Sequence, residues 1–167
     1  MHTIRSTRRR FAAVLGSIVS GLGITSAASI ATAAVSPPVK DVEKLNEEGK
    51  PATGSPFIMP IVRHNGVIYV AGQGAHDDRP AAEWDIDSHT RKVMDKIKGL
   101  VEHGGSAMDD ILQLTVFLAK IEDYDGMNKV FKTYFPNGGP ARTTIAIAAL
   151  PGNSLVEINC IAAVSRR

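Results

Sequence analysis

The chain has 167 residues, of which 44% are hydrophobic and 22% charged, with a single cysteine. This length allows one compact core and a short appendage, but not comfortably two domains. The lone Cys160 excludes an internal disulfide. The formal charge of +2, from 19 basic and 17 acidic residues, is too small and too localised to mark a nucleic-acid binder.

The basic excess is concentrated at the start. Arg8-Arg9-Arg10 precede Phe11, and no charged side chain occurs from Phe11 to Val39. Ala, Gly, Ser and Thr keep that stretch mildly apolar, and Ala31-Thr32-Ala33 offers small residues for cleavage. This is the basic, apolar, small-residue order of a secretory signal. The arginine pair resembles a twin-arginine signal, which implies export of an already folded protein, to the periplasm or beyond. The alternatives are an uncleaved anchor and a basic tail. A span needs about 20 mostly apolar residues. Gly16, Ser17, Ser20, Gly21, Gly23, Thr25 and Ser26 dilute this run, so no permanent membrane anchor is expected. The expected organisation is a signal at 1–34, an arm at 35–55 and one domain at 56–167. Cleavage removes Arg5, Arg8, Arg9 and Arg10; nineteen basic residues less four leaves 15 against 17 acidic, a balance of −2. No basic stripe with interleaved aromatics follows, so nucleic acid is not an expected partner.

The charged, Pro/Gly-punctuated arm admits a further strand near 37–51. Apolar runs at 57–62 and 67–71 flank Arg63-His64-Asn65-Gly66. Asn-Gly is a strong hairpin signal because both residues tolerate positive φ. A polar loop is expected over 72–83, including His76-Asp77-Asp78, which reads as a solvated loop rather than a metal site. Val93, Met94, Ile97, Leu100 and Val101 recur at helical spacing and predict a helix over 87–103, capped by Asp85 or Asp87 and stopped by Gly104-Gly105. Residues 111–119 form a strand rich in apolar and β-favouring side chains. A second helix is expected over 125–135, ended by Pro136-Asn137-Gly138-Gly139-Pro140. Two strands close the chain. The first is opened by Arg142; the second, over 155–164, puts Val156, Ile158, Cys160, Ala162 and Val164 on one face and Leu155, Glu157, Asn159 and Ile161 on the other. Cys160 reads as a small buried hydrophobe.

Two helices cannot cover both faces of five or six strands, so an α+β fold with both helices on one face is expected. Arg142 and Glu157 are assigned to the face left open, which is too apolar for water and calls for oligomerisation. A charge on so apolar a strand is costly without a partner or ligand. The Arg142 fork suits a carboxylate; it is either a ligand clamp or a structural partner of Glu157. Glu157 either handles water or serves as that counterion. Neither the five histidines nor the glycines form a metal or phosphate motif, and no metal is expected.

Pro140-Ala141-Arg142 followed by Val156-Glu157-Ile158 resembles the Rid family (reactive intermediate deaminase, also called YjgF). Ala71-Gly72-Gln73, the strand Gln113 to Leu118, and Asn128 resemble further family elements, in the same order. The match runs from about Pro51 to the C-terminus. The resemblance implies a chorismate-mutase-like mixed sheet and a homotrimer with ligand clefts between adjacent subunits. It implies hydrolysis of a 2-imino acid to a 2-keto acid and ammonia, without a cofactor. Arg142 would clamp the carboxylate and Glu157 would position water. Phe57, Gln73, Asn128 and Thr144 would line the cleft. Three positions depart from the family pattern: Phe57 stands for Tyr, Ala71 for Ser and Thr144 for Cys. The departures at Phe57 and Ala71 favour the alternative of a non-catalytic carboxylate-binding or protein-interaction module. Ribonuclease activity, attached to some relatives, conflicts with the acidic balance.

Overall fold

The computed structural model describes residues 42–165, within the compact unit Pro37–Arg167. The expected signal at 1–34 lies outside the described residues. The elements run β1 (Glu43–Leu45), β2 (Ile61–His64), β3 (Val67–Gly74), α1 (Ile86–His103), β4 (Ile111–Leu118), α2 (Tyr124–Phe131), β5 (Ala141–Ala146) and β6 (Val156–Ala163). They build a six-stranded mixed sheet in the order β1-β2-β3-β6-β4-β5. Every pairing is antiparallel except β4 with β5. A parallel pair needs a crossover, and α2 provides it.

Local chemistry explains the boundaries. Asn65 and Gly66 both take positive φ, 50° and 77°, and join β2 to β3 as the dipeptide predicts. Asp85 caps α1 by accepting from the Ser88 N–H at 2.7 Å. At the other end Gly105 adopts φ 89°, and the Ser106 N–H returns to Val101 O at 3.0 Å. The arm is partly regular: β1 pairs with β2, and Leu45 bridges to Pro51. Three boundaries differ from expectation. Strand β2 begins at Ile61 rather than residue 57. Strand β3 continues through Gly72 to Gly74, because β6 offers it partners on both sides of a bulge between Val70 and Gln73. Helix α2 ends at Phe131 and tightens into a 3-10 turn at Lys132–Tyr134, where Thr133 Oγ1 donates to Val130 O at 2.7 Å.

Both helices pack on one face, as expected. Val93, Met94, Ile97 and Val101 of α1 and Met127 of α2 are fully buried with Leu114, Val116, Leu118, Val156, Ile158 and Ala162 of the sheet. Cys160 belongs to this core, and burial pushes its thiol up to about 12. Truncating Ile158 to Ala would cost about 2–5 kcal/mol. The other face carries Tyr69, Gln113, Thr115, Asn159 and Ile161 around a shallow groove of about 320 Å³, with no helix over it. Tyr69 remains 48% exposed, and Leu112 and Ile145 lie similarly open nearby in sequence and sheet. No helix among the described residues is long and apolar enough to cross a membrane.

Candidate functional site

Arg142 is the second residue of β5, the edge strand. The β4–β5 register sets Arg142 beside Leu114 and Thr144 beside Val116. Both neighbours are fully buried in the core beneath the helices, so Arg142 and Thr144 point to the helix-covered side. There the guanidinium lies 4.6 Å from the Phe131 ring centre and 5.8 Å from that of Tyr124. Its Nη2 donates to Tyr124 Oη at 3.4 Å, and Nη1 lies 3.9 Å from Met127 Sδ. Stacking on aromatic faces holds an arginine plane at little entropic cost. Tyr124, Met127, Asn128 and Phe131 recur at i, i+3, i+4 and i+7 and share one stripe of α2. Asn128 therefore belongs to the same wall. Thr144 Oγ1 is buried without a hydrogen-bond partner, which is uncommon enough to call for an explanation.

Glu157 points the other way. It pairs with Phe117 on β4 and Gly74 on β3, on the open face. Its carboxyl group lies over the backbone of Gly72. A Cβ at Gly72 would stand 3.0 Å from Glu157 Cδ and collide with Oε1, so a side chain there would push the carboxylate out of its present position. The ion pairs among the described residues are Arg63–Glu43, Arg79–Asp77, His89–Asp77 and Lys129–Asp87. Neither Arg142 nor Glu157 takes part.

The expectation that Arg142 and Glu157 share a sheet face is therefore corrected. Alternation along each strand holds for both, but their relative phase is set by β4, which lies between them and pairs with β5 in parallel and β6 in antiparallel register. Gln73 pairs with Ile158 and faces the helices. Its amide donates to Ala71 O at 3.1 Å, and it lines a groove with Lys96, Gly99 and His103. Phe57 is fully exposed in a bend before β2. The residues expected in one cleft are thus distributed over the chain: Arg142, Thr144 and Asn128 on the β5–α2 edge, Glu157 over Gly72 on the open face, and Gln73 and Phe57 apart from both.

A second polar centre is buried at the start of α1. Asp77, expected in a solvated loop, is only 7% exposed. It accepts from Arg79 Nε at 3.0 Å, from the Arg79 backbone N–H at 2.9 Å, and from His89 Nε2 at 3.0 Å. The Leu155 N–H donates to His89 Nδ1 at 3.0 Å, so the imidazole proton resides on Nε2 and is directed at Asp77. The bonds from Arg79, side chain first and then backbone, aided by His89, hold the Asp77 carboxyl well below the usual carboxylate range. Trp84 tilts against His89 at 5.7 Å and donates its indole N–H to Arg79 O at 2.9 Å. This network ties the β3–α1 loop to the residue before β6. His89 shows no i, i+4 ligand spacing, so sequence gave no sign that it would meet Asp77. Tyr124 lies just before the start of the helix expected over 125–135, so periodicity does not place it beside Arg142.

An α+β protein with a mixed sheet, two helices on one face and an arginine without an ion-pair partner on its edge strand is the class these observations define. Residues 48–164 match the family model described as Endoribonuclease L-PSP, and the chain belongs to that family, which is the YjgF/Rid family. A RutC family protein of Pyrococcus horikoshii is 32% identical over 122 residues, covering 72% of this chain and 96% of that one. The mitochondrial protein mmf2 of Schizosaccharomyces pombe is 32% identical over 117 residues, covering 68% and 92%. Among solved structures, YyfA of Yersinia pestis, described as a protein of the conserved Rid family, superposes with a TM-score of 0.63 at 29% identity, covering 74% of this chain and 100% of that one.

Proposed function

We propose that this protein is an exported deaminase that hydrolyses small 2-imino acids to 2-keto acids and ammonia. The observation that carries the reading is Arg142: a guanidinium held in place by Tyr124, Met127 and Phe131 yet without a carboxylate partner among the described residues. The distribution of residues supports a shared cleft. One chain presents Arg142, Thr144 and Asn128 on one side of its sheet and Glu157 over Gly72 on the other. A homotrimer would bring the first set of one subunit to the second set of its neighbour, and would cover the open apolar face.

In such a cleft the substrate carboxylate docks on the Arg142 fork. Water adds to the imine carbon, already electrophilic without a cofactor, with Glu157 orienting it and accepting its proton. The proton taken by Glu157 passes to the nitrogen to give the 2-amino-2-hydroxy acid; transfer of the hydroxyl proton to the amino group then lets ammonia leave as the C–N bond breaks and the carbonyl forms. Export through the twin-arginine route fits residues 1–34, and an amino-acid oxidase or dehydrogenase outside the inner membrane would supply the imine.

A second reading keeps the cleft and drops the chemistry: a small-carboxylate-binding module or protein-interaction module. It is favoured by Phe57 and Ala71, which lack hydroxyls. Ribonuclease activity, suggested by the family description, fits the acidic mature chain poorly. Purified mature protein is incubated with freshly generated 2-iminopropanoate and ammonia is measured. Release above the spontaneous rate supports the enzyme; binding of pyruvate without release supports the module. Export is tested separately: replacing Arg8 and Arg9 by Lys should retain the full-length chain in the cytosol, and unchanged export would refute the twin-arginine route.

A further inference from the structure

We infer that Tyr124 is a ligand-binding residue of the Arg142 pocket, donating its phenolic hydrogen to the same carboxylate that the arginine clamps. The inference rests on the carboxylate reading above and extends it to a residue outside the expected set. Arg142 has donors only, so in the 3.4 Å contact between Nη2 and Tyr124 Oη the phenol must be the acceptor. The phenolic hydrogen is then uncommitted, since Arg142 is the hydroxyl's only described partner. The hydroxyl lies next to Nη2, on a side chain that is 39% exposed.

The contact with Arg142 uses the hydroxyl only as an acceptor, and packing makes no use of its hydrogen. Phe131 already supplies the closer aromatic face for the guanidinium, at 4.6 Å against 5.8 Å. A phenylalanine at 124 would preserve the remaining stacking. Thr144 lies two residues from Arg142 on the same side of β5, and its Oγ1 is likewise without a hydrogen-bond partner. Guanidinium and phenol together form a donor-rich rim, and among the described residues no acidic side chain is bonded to either. That composition selects a small anion carrying a second acceptor next to the carboxylate, as a 2-oxo or 2-imino acid does. Tyr124 is assigned to binding, not to proton transfer at the reacting carbon.

The test is calorimetric titration of the mature protein with 2-oxobutanoate, using the parent, Tyr124→Phe and Arg142→Ala, beside oligomeric mass, thermal midpoint and imine-hydrolysis kinetics. Tyr124→Phe should bind roughly tenfold more weakly or worse, as expected for loss of one hydrogen bond to a charged group. Its KM should rise by a similar factor with kcat little changed, because the contact is made equally in ground and transition states. Mass and thermal midpoint should match the parent. Tyr124→Phe binding within twofold of the parent, with Arg142→Ala inactive in binding, would overturn the role of Tyr124 and leave the carboxylate clamp standing. Weaker binding accompanied by loss of the parent mass or midpoint would also overturn it, since the hydroxyl would then be structural. A parent that binds no 2-oxo acid would remove both.

Discussion

Asp77 and Arg142 are both charged side chains set against apolar surroundings, and the fold treats them oppositely. Asp77 receives hydrogen bonds from Arg79, the Arg79 backbone and His89, and His89 is fixed in turn by the Leu155 N–H. Both oxygens of Asp77 and both ring nitrogens of His89 are spent on other parts of the chain. Arg142 is equally well positioned, by Phe131, Tyr124 and Met127, but among the described residues its fork meets no carboxylate and Thr144 Oγ1 has no hydrogen-bond partner. A buried polar network that is fully satisfied locks loops together. An ordered but unsatisfied one at an edge is where a ligand can supply what the fold withholds. The first region is a latch and, in the function proposed, the second is a receptacle; sequence patterning marked the second and passed over the first.

Substitutions sharpen this contrast. Arg142→Ala should have the largest effect: loss of a charge-assisted bidentate contact costs about 2–5 kcal/mol, enough to abolish measurable binding of pyruvate by calorimetry. Arg142→Lys should also fail substantially, because an ammonium cannot reproduce the planar fork. An Arg142→Ala protein that binds pyruvate like the parent would make Arg142 as structural as Asp77. Next is Gly72→Ala, whose methyl group must displace the Glu157 carboxylate. A misplacement of about 1 Å can cost on the order of 100-fold in rate; 2-keto acid binding should survive and ammonia release should not. Glu157→Gln should give the same separation, with binding retained and turnover slowed. If instead it mainly lowers the oligomeric mass, Glu157 is an interface counterion.

Asp77→Asn should change stability rather than binding. The native carboxyl is held below its unfolded value, so its contribution is complete above the ordinary carboxylate pKa of about 4 and fades as pH falls below it. Thermal melts should therefore show the variant less stable than the parent at pH 7, with the gap closing as the pH drops below about 4. A constant gap from pH 7 to pH 3 would mean that the carboxylate charge is not what holds the latch. The smallest effect belongs to Cys160, whose buried thiol is pushed up to about 12: alkylating reagents should leave it unmodified in the native protein at pH 8 and label it on unfolding.

Sequence by itself determined the elements and the chemistry of their side chains. The 3.6-residue recurrence of Val93, Met94, Ile97, Leu100 and Val101 specified α1, Asn65-Gly66 specified the first hairpin, and alternation through β6 put Val156, Ile158 and Cys160 inside, because each signal resides in neighbouring residues. The motif around Arg142 and Glu157 likewise identified the family from a handful of positions. Tertiary structure alone decided which way those two charges point. Their phase depends on β4, which separates β5 from β6 in the sheet although it precedes both in the chain, and no local pattern encodes a register between strands. The same holds for Asp77 and His89, twelve residues apart in a loop and a helix, and for Tyr124 and Arg142, brought together by the crossover that α2 makes between parallel strands. Periodicity reports which face of its own element a residue occupies; only packing brings one element's face against another's.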